Sequence, residues 1–385
     1  MVKRSYLRYA IAMPVLGAIL LTTAHAMAAS RYIAYVGTYT DTAGKGVYAL
    51  RYDAASGKFV SLGLEAQVPN PSFVAADPTH HFLYAITERE TRKDSTGSLS
   101  GYAIDPATGA LKLINHVSAH GNTTAHLAVD ATGKWLLIAN YGSGSVAVFA
   151  IKPDGSIGEM SDFHQHSGAS VDPRRQTGPH PHEVVMSADN RFLFVPDLGL
   201  DKVFVYALDA TTGKLTLSST TGTQPGFGPR HMLFGRGGTF AYVLGEMGSK
   251  VTVMSYDKIS GRLTPIQVIA TIPADFTGEN NSAELARSAD GRFLYATNRG
   301  HDSVTVFSIN AKNGQLANVQ NISTQGHIPR GMSLDPDDTH LLVANQESDN
   351  IVIFDRDART GRLAPTGQVM TDIPTAVCIL FTPTD

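Results

Sequence analysis

Ionisable residues recur at matching points of an internal pattern in this chain. His126, His182, Arg230, Glu284 and Arg330 each stand just ahead of a short apolar run, as Ser72 does in an earlier copy. Tyr39, Glu88, Tyr141, Leu198, Glu246, Arg299 and Gln346 close the next run, several of them preceded by Asn140, Asp197, Asn298 or Asn345. A neutral imidazole can take a proton from water, and guanidiniums stabilise oxyanions and grip carboxylates. Brought to one place, such residues bind and activate a small anionic molecule. The competing reading is that they are ion pairs between neighbouring repeats. Across one hairpin Arg230 is expected to meet Glu246, and across another Glu284 is expected to meet Arg299. The chain has no G-x-S-x-G elbow, so water rather than a serine is the expected nucleophile.

A second group lies in the stretch FHQHSGASVDPRRQTGPHPHE, from Phe163, which interrupts the pattern. It carries His164, His166, His180 and His182, with Arg174 and Arg175. Two H-x-H pairs without carboxylate or helical framing do not make a known catalytic zinc motif, so no metal and no cofactor are expected. The stretch reads instead as a cap that shapes a pocket. The single cysteine, Cys378, excludes an intrachain disulfide and a thiolate-rich zinc site, and is expected in apolar packing.

The elements that must position these residues are repeats. Seven segments share an apolar run, a Gly/Asp turn, an aromatic-aliphatic run, a polar turn and a β-branched run, at a period of roughly 50 residues. Each copy offers about four short strands bounded by Gly, Asp, Asn and Pro. Four strands per copy, repeated radially, predict an all-β, seven-bladed β-propeller with four-stranded blades. The first copy opens on YIAYVGTYT, which matches a second strand, while PTAVCILF near the C-terminus resembles a first strand. Residues 375–382 are therefore expected to close the first blade from inside and to put Cys378 in an innermost strand. Channel-lining first strands would then gather the ionisable residues at one mouth.

Composition agrees. Apolar residues make up 43%, charged residues only 17%, and 36 Gly with 19 Pro imply many turns. A net charge of −3 gives no footprint for nucleic acid. Residues 1–29 combine Lys3, Arg4 and Arg8 with an apolar run from Ala10 to Leu21 and small residues at Ala24, Ala26, Ala28 and Ala29. This predicts a cleaved signal peptide, followed by a propeller domain over 30–385. The expected product is a periplasmic monomer, free of the membrane after cleavage.

The stretches RRQTGPHPHE, GPRHMLF, NRGHDSV, and PRGMSLDP followed by LLVANQESDN resemble the lactonase family of seven-bladed propellers, across the whole mature chain. The family includes bacterial 6-phosphogluconolactonases and fungal carboxymuconate-lactonizing cycloisomerases. The resemblance implies a lactonase acting on a small lactone. In the muconate branch a His, two Arg and a Glu are proposed as active-site residues. Matched by motif, these are His182, Arg230, Glu246 and Arg299, with Arg330 as the second candidate for the last. His126, Asn140, His180, Glu284 and Arg330 are expected to contact substrate. Two residues after Glu284, where relatives often carry Arg or His, this chain has Ala286, with Arg287 following. Export favours an unphosphorylated aldonolactone over a cytoplasmic sugar phosphate. The alternatives are a cycloisomerase using the same residues and a non-enzymatic propeller that binds protein or glycan.

Overall fold

The structure is a computed structural model that describes Met1 and residues 31–53 and 58–384; the rest of the expected leader lies outside the described residues. Among the described residues there are 28 strands in seven four-stranded antiparallel sheets and no helix. No helix long and apolar enough to cross a membrane is present among them. The expected seven-bladed propeller is borne out.

Each blade buries both faces, because one face packs on the preceding blade and the other on the next. Seven separate apolar clusters result, one at each junction. Phe194 and Val205 of blade four meet Met232 and Val243 of blade five, and Leu244 and Val253 of blade five meet Leu294 and Phe307 of blade six. The ring closes through Val36 and Leu50 of blade one against Leu342 and Ile353 of blade seven. Alternate residues of a strand serve opposite junctions, so the second strands read as nearly continuous apolar runs rather than alternating ones.

A polar lock recurs across these junctions. Tyr84 in blade two donates its hydroxyl to the carbonyl of Gly155 in blade three at 3.0 Å, and Tyr295 in blade six does the same to Gly361 in blade seven at 3.0 Å. Both glycines have positive φ, 80° and 72°. A Cβ on Gly155 would lie 2.1 Å from the Phe82 ring, so both backbone and space require glycine there.

Ring closure is as expected. The strand Ala376–Pro383 pairs antiparallel with Arg31–Thr38 and is the innermost strand of blade one. Cys378 is buried in it, and burial pushes its thiol pKa up to about 12, leaving an inert packing group.

Candidate active site

Most of the first strands are bulged near the channel mouth. In blade five Pro229 pairs with Gly245 while His231 pairs with Leu244, which leaves Arg230 as the extra residue. Arg330 in blade seven and Ala125 in blade three are bulged in the same way. A bulge interrupts the alternation of faces, so two successive residues can both serve the channel. Arg230 pairs with Glu246 at the mouth, while His231 packs beside His126 and His182, with ring centroids 5.7 and 5.2 Å away.

Two rings of side chains follow. His182, Arg230 and Arg330 stand five positions ahead of the equivalent turn residues Ser187, Gly235 and Asp335. Phe73, His126, Glu183, His231 and Glu284 stand four positions ahead of theirs and form a deeper ring. The expectation that put His126 and Glu284 level with Arg230 is therefore corrected by one residue. The bulge hides this shift, because side-chain parity no longer separates neighbours.

A cavity of about 280 Å³ opens at the mouth, with Glu88, Tyr141, Arg175, His182, Glu246, Asn281, Arg299 and Arg330 in its walls. Glu246 is its electrostatic centre. One carboxylate oxygen accepts from Arg175 at 2.7 Å, and the other faces Arg299 at 2.9 Å and Arg230 at 3.1 Å. Burial pushes the Glu246 carboxyl up, but Arg299, Arg230 and Arg175 together hold it well below the usual carboxylate range. It is a fixed anion, unsuited to be a base. Arg230, buried beside Arg299 and Arg330, falls to about 10 and stays charged at neutral pH. Its guanidinium also donates to the Ala283 carbonyl.

The expected Glu284–Arg299 pair does not form. Arg299 turns to Glu246 and to the carbonyls of Asn281 and Ser282. Glu284 sits in the deeper ring, 2.8 Å from His231 Nδ1. The strand carrying Glu284 begins at Asn281, which faces Arg299 in the ladder, so Glu284 lies too far down the channel to reach it.

Arg330 differs from the other guanidiniums. It lies over the Tyr39 ring at 5.2 Å and makes no hydrogen bond to any described residue. Glu88, the nearest carboxylate candidate, is already held by Tyr39 at 2.6 Å and Arg89 at 2.8 Å. Arg330 thus presents free donors to the cavity.

His182 also lines the cavity, and its Nδ1 is buried without a hydrogen-bond partner. Burial, with Arg230, His231, Arg330 and Arg299 nearby, pushes its pKa well below the usual value. The imidazole is neutral at physiological pH.

Other expected contacts are redistributed. Asn140 is fully buried, and its amide binds Thr124, the Ala119 carbonyl and Ser145. It braces a hairpin and does not face the cavity. His180 stacks on Tyr141 at 4.4 Å and bonds its carbonyl at 2.8 Å, which sets the ring that forms the cavity wall. His126 packs on Phe73 at 3.9 Å and lies 3.7 Å from Glu183, below the cavity floor. Arg287 turns away to the Phe234 carbonyl, and Ala286 packs against the blade-seven junction, so neither supplies charge to the mouth.

The insertion is a built wall. His166 Nδ1 meets Asp197 at 2.6 Å and its Nε2 meets Tyr206 at 2.9 Å, while Asp197 also accepts the His180 N–H at 2.8 Å. Gln176 bonds the Leu198 carbonyl at 2.8 Å. These anchors deliver Arg175 to Glu246. Sequence reasoning noted Arg175 only as part of the cap, and missed Glu183 and His231; the RR dipeptide beside PHPH was the available signal. His164 pairs with Asp162 at 3.0 Å, so His164, His166 and His180 serve different partners and only His182 is left without one. Among the described residues, no three His, Cys, Asp or Glu side chains converge as metal ligands.

The model of the family described as lactonase, 7-bladed beta-propeller, matches residues 33–381. This chain belongs to that family. A relative named 6-phosphogluconolactonase from Bacillus subtilis is 36% identical over 313 residues, covering 81% of this chain and 88% of its own length. A 6-phosphogluconolactonase from Formosa agariphila is 34% identical over 317 residues, covering 80% of this chain and 88% of its own. Among solved structures, a periplasmic gluconolactonase from Pseudomonas aeruginosa superposes with a TM-score of 0.88 at 34% identity, over 92% of this chain and all of that one.

Proposed function

We propose that this propeller hydrolyses a sugar lactone to its aldonic acid, with His182 as the proton carrier and Arg330 as the oxyanion-binding group. The observation that carries this reading is the pairing of a neutral imidazole with a guanidinium of free donors in one cavity. The cavity's 280 Å³ sits just below the ~300–1,000 Å³ of drug-sized ligand pockets and suits one sugar ring. The P. aeruginosa gluconolactonase supports the substrate class, and its periplasmic location supports export of this chain by the leader at 1–29.

His182 takes a proton from water as the water oxygen bonds to the lactone carbonyl carbon. The carbonyl oxygen becomes an oxyanion facing Arg330. Collapse breaks the bond from that carbon to the ring oxygen, and His182 returns the proton to the departing alkoxide. The aldonic acid then ionises, so one proton is released per turnover. An imidazole of depressed pKa is a modest base, but its conjugate acid is a strong donor to an alkoxide. Arg299 and Arg230 hold Glu246 and keep the local potential positive for the product carboxylate.

The test is proton release from glucono-δ-lactone in weak buffer, with spontaneous opening subtracted at each pH. His182→Gln is expected to lower kcat by ~10²-fold or more, and Arg330→Gln by ~10²–10³-fold. Near-parent turnover in His182→Gln would assign the proton transfer to another group.

A further inference from the structure

The cavity at the channel mouth has a larger neighbour on the protein surface. Arg175 and Asn281 stand in its wall and also in the wall of a second, outer groove of about 830 Å³. The groove runs between the insertion and the segment before blade six. Val171, Pro173 and Arg174 form one side; Met247, Ile272, Glu279 and Asn280 form the other. It is about three times the volume of the inner cavity, far more than an entry path for one ring requires.

Its lining is mixed in a particular way. Val171 is 62% exposed, and Met247 and Ile272 also reach the surface, giving apolar patches. Between them stand Arg174 and Glu279, whose side chains make no hydrogen bond or ion pair with any described residue. Asn280 and Ser249 bind each other at 2.8 Å, and the insertion is pinned from below by Ser170 on Asp201 at 2.6 Å. The walls are therefore built, while the Arg174 guanidinium, the Glu279 carboxylate and the Asn281 side-chain amide make no hydrogen bond to any described residue.

Free donors, free acceptors and apolar patches together match a neutral polyol, which offers hydroxyls on its edges and C–H groups on its faces. A phosphate would gain Arg174 but would meet the Glu279 carboxylate in the same groove. We propose that the substrate of this site is an aldonolactone bearing a second sugar unit, with the lactone ring in the inner cavity and the second sugar in the outer groove. This rests on the lactone-hydrolase reading above.

The experiment compares kcat/KM for glucono-δ-lactone, lactobionolactone, melibionolactone and 6-phosphogluconolactone on the same enzyme, and repeats it with Arg174→Ala and Glu279→Ala. Calorimetry of gluconate, lactobionate and melibionate binding to His182→Gln gives a readout independent of turnover. The expected result is at least a tenfold preference for one disaccharide lactone, lowered severalfold in each variant, with lactobionate or melibionate binding tighter than gluconate. Turnover of gluconolactone with no such preference and no tighter disaccharide binding overturns this inference and leaves the hydrolase reading standing. A preference for the phosphorylated lactone that Arg174→Ala removes overturns it in favour of a phosphate in the groove. Failure to hydrolyse any of the four lactones, with no aldonate binding, removes both readings.

Discussion

Replacing Glu246 by Gln tests the electrostatic centre of the site. The carboxylate faces Arg175, Arg299 and Arg230 at 2.7, 2.9 and 3.1 Å. With charge centres ~4 Å apart and an effective dielectric of ~20, each attraction is about 4 kcal/mol. Arg175 exposes 37% of its side chain and can swing into water, so its pair is discounted to about 0–1 kcal/mol. Arg299 and Arg230 expose 12% and 3% and cannot leave. Removing one partner of a buried pair costs about 3–5 kcal/mol, because the remaining charge stays buried. With unfolding entropy of ~2.1 cal/mol/K per residue over roughly 350 residues, that loss lowers Tm by about 4–7 °C. Uncompensated guanidiniums should also bind anions more strongly, so added gluconate should restore more Tm in Glu246→Gln than in the parent. Calorimetric melts with and without gluconate provide both numbers. A variant that melts within 1 °C of the parent, with an unchanged gluconate response, refutes the assignment of Glu246 as the counter-ion of this cluster.

Because the folded His182 pKa lies well below its ordinary value, the imidazole is already neutral above it, so the corrected rate should be flat from pH 6.5 to 8 and fall only in acid; a midpoint near 7 in that profile would show an unperturbed imidazole. Burial raises the Glu284 carboxyl from 4.5 to about 7, so its stabilising contribution is complete below 4.5 and lost as pH rises through 7. Glutamine mimics the protonated form at every pH, so urea melts of Glu284→Gln should gain about 3 kcal/mol relative to the parent between pH 4.5 and 8; a pH-independent difference would mean that the folded carboxyl titrates normally. Deleting residues 374–385 removes the strand that pairs with Arg31–Thr38 and uncovers a sheet edge, so the truncated chain should melt at least 10 °C lower or aggregate; a parent-like melt by circular dichroism would contradict closure by that strand. Dialysis against EDTA should leave lactone hydrolysis unchanged, since His164, His166 and His180 are engaged with Asp162, Asp197 and Tyr141 and His182 alone makes no ligand set; loss of rate restored by one divalent ion would show the opposite.

The blade count, the strand order and the closing strand were legible in the sequence, and so was the Arg230–Glu246 pair. Each is a local or periodic property. Strands announce themselves by composition and turn residues, a repeat announces its copy number, and an orphan strand at each end admits one closure. Residues facing each other across a single hairpin can be counted, as Arg230 and Glu246 were. The two-layered channel could not be read this way. A bulge adds one residue to one strand, and side-chain parity on the far side of it is lost, which is why His126 and Glu284 were placed one level too high. The partner of Arg299 was decided by blade-to-blade packing, since Glu246 reaches it across a junction while Glu284 meets His231 instead. Arg175 enters from an insertion whose path depends on distant anchors at Asp197 and Leu198. The sequence by itself determined the seven-bladed scaffold and the residue types at its mouth. Only the tertiary structure decided which guanidiniums are spent on Glu246 and which one, Arg330, is left open, because that depends on distances between blades that no repeat pattern encodes.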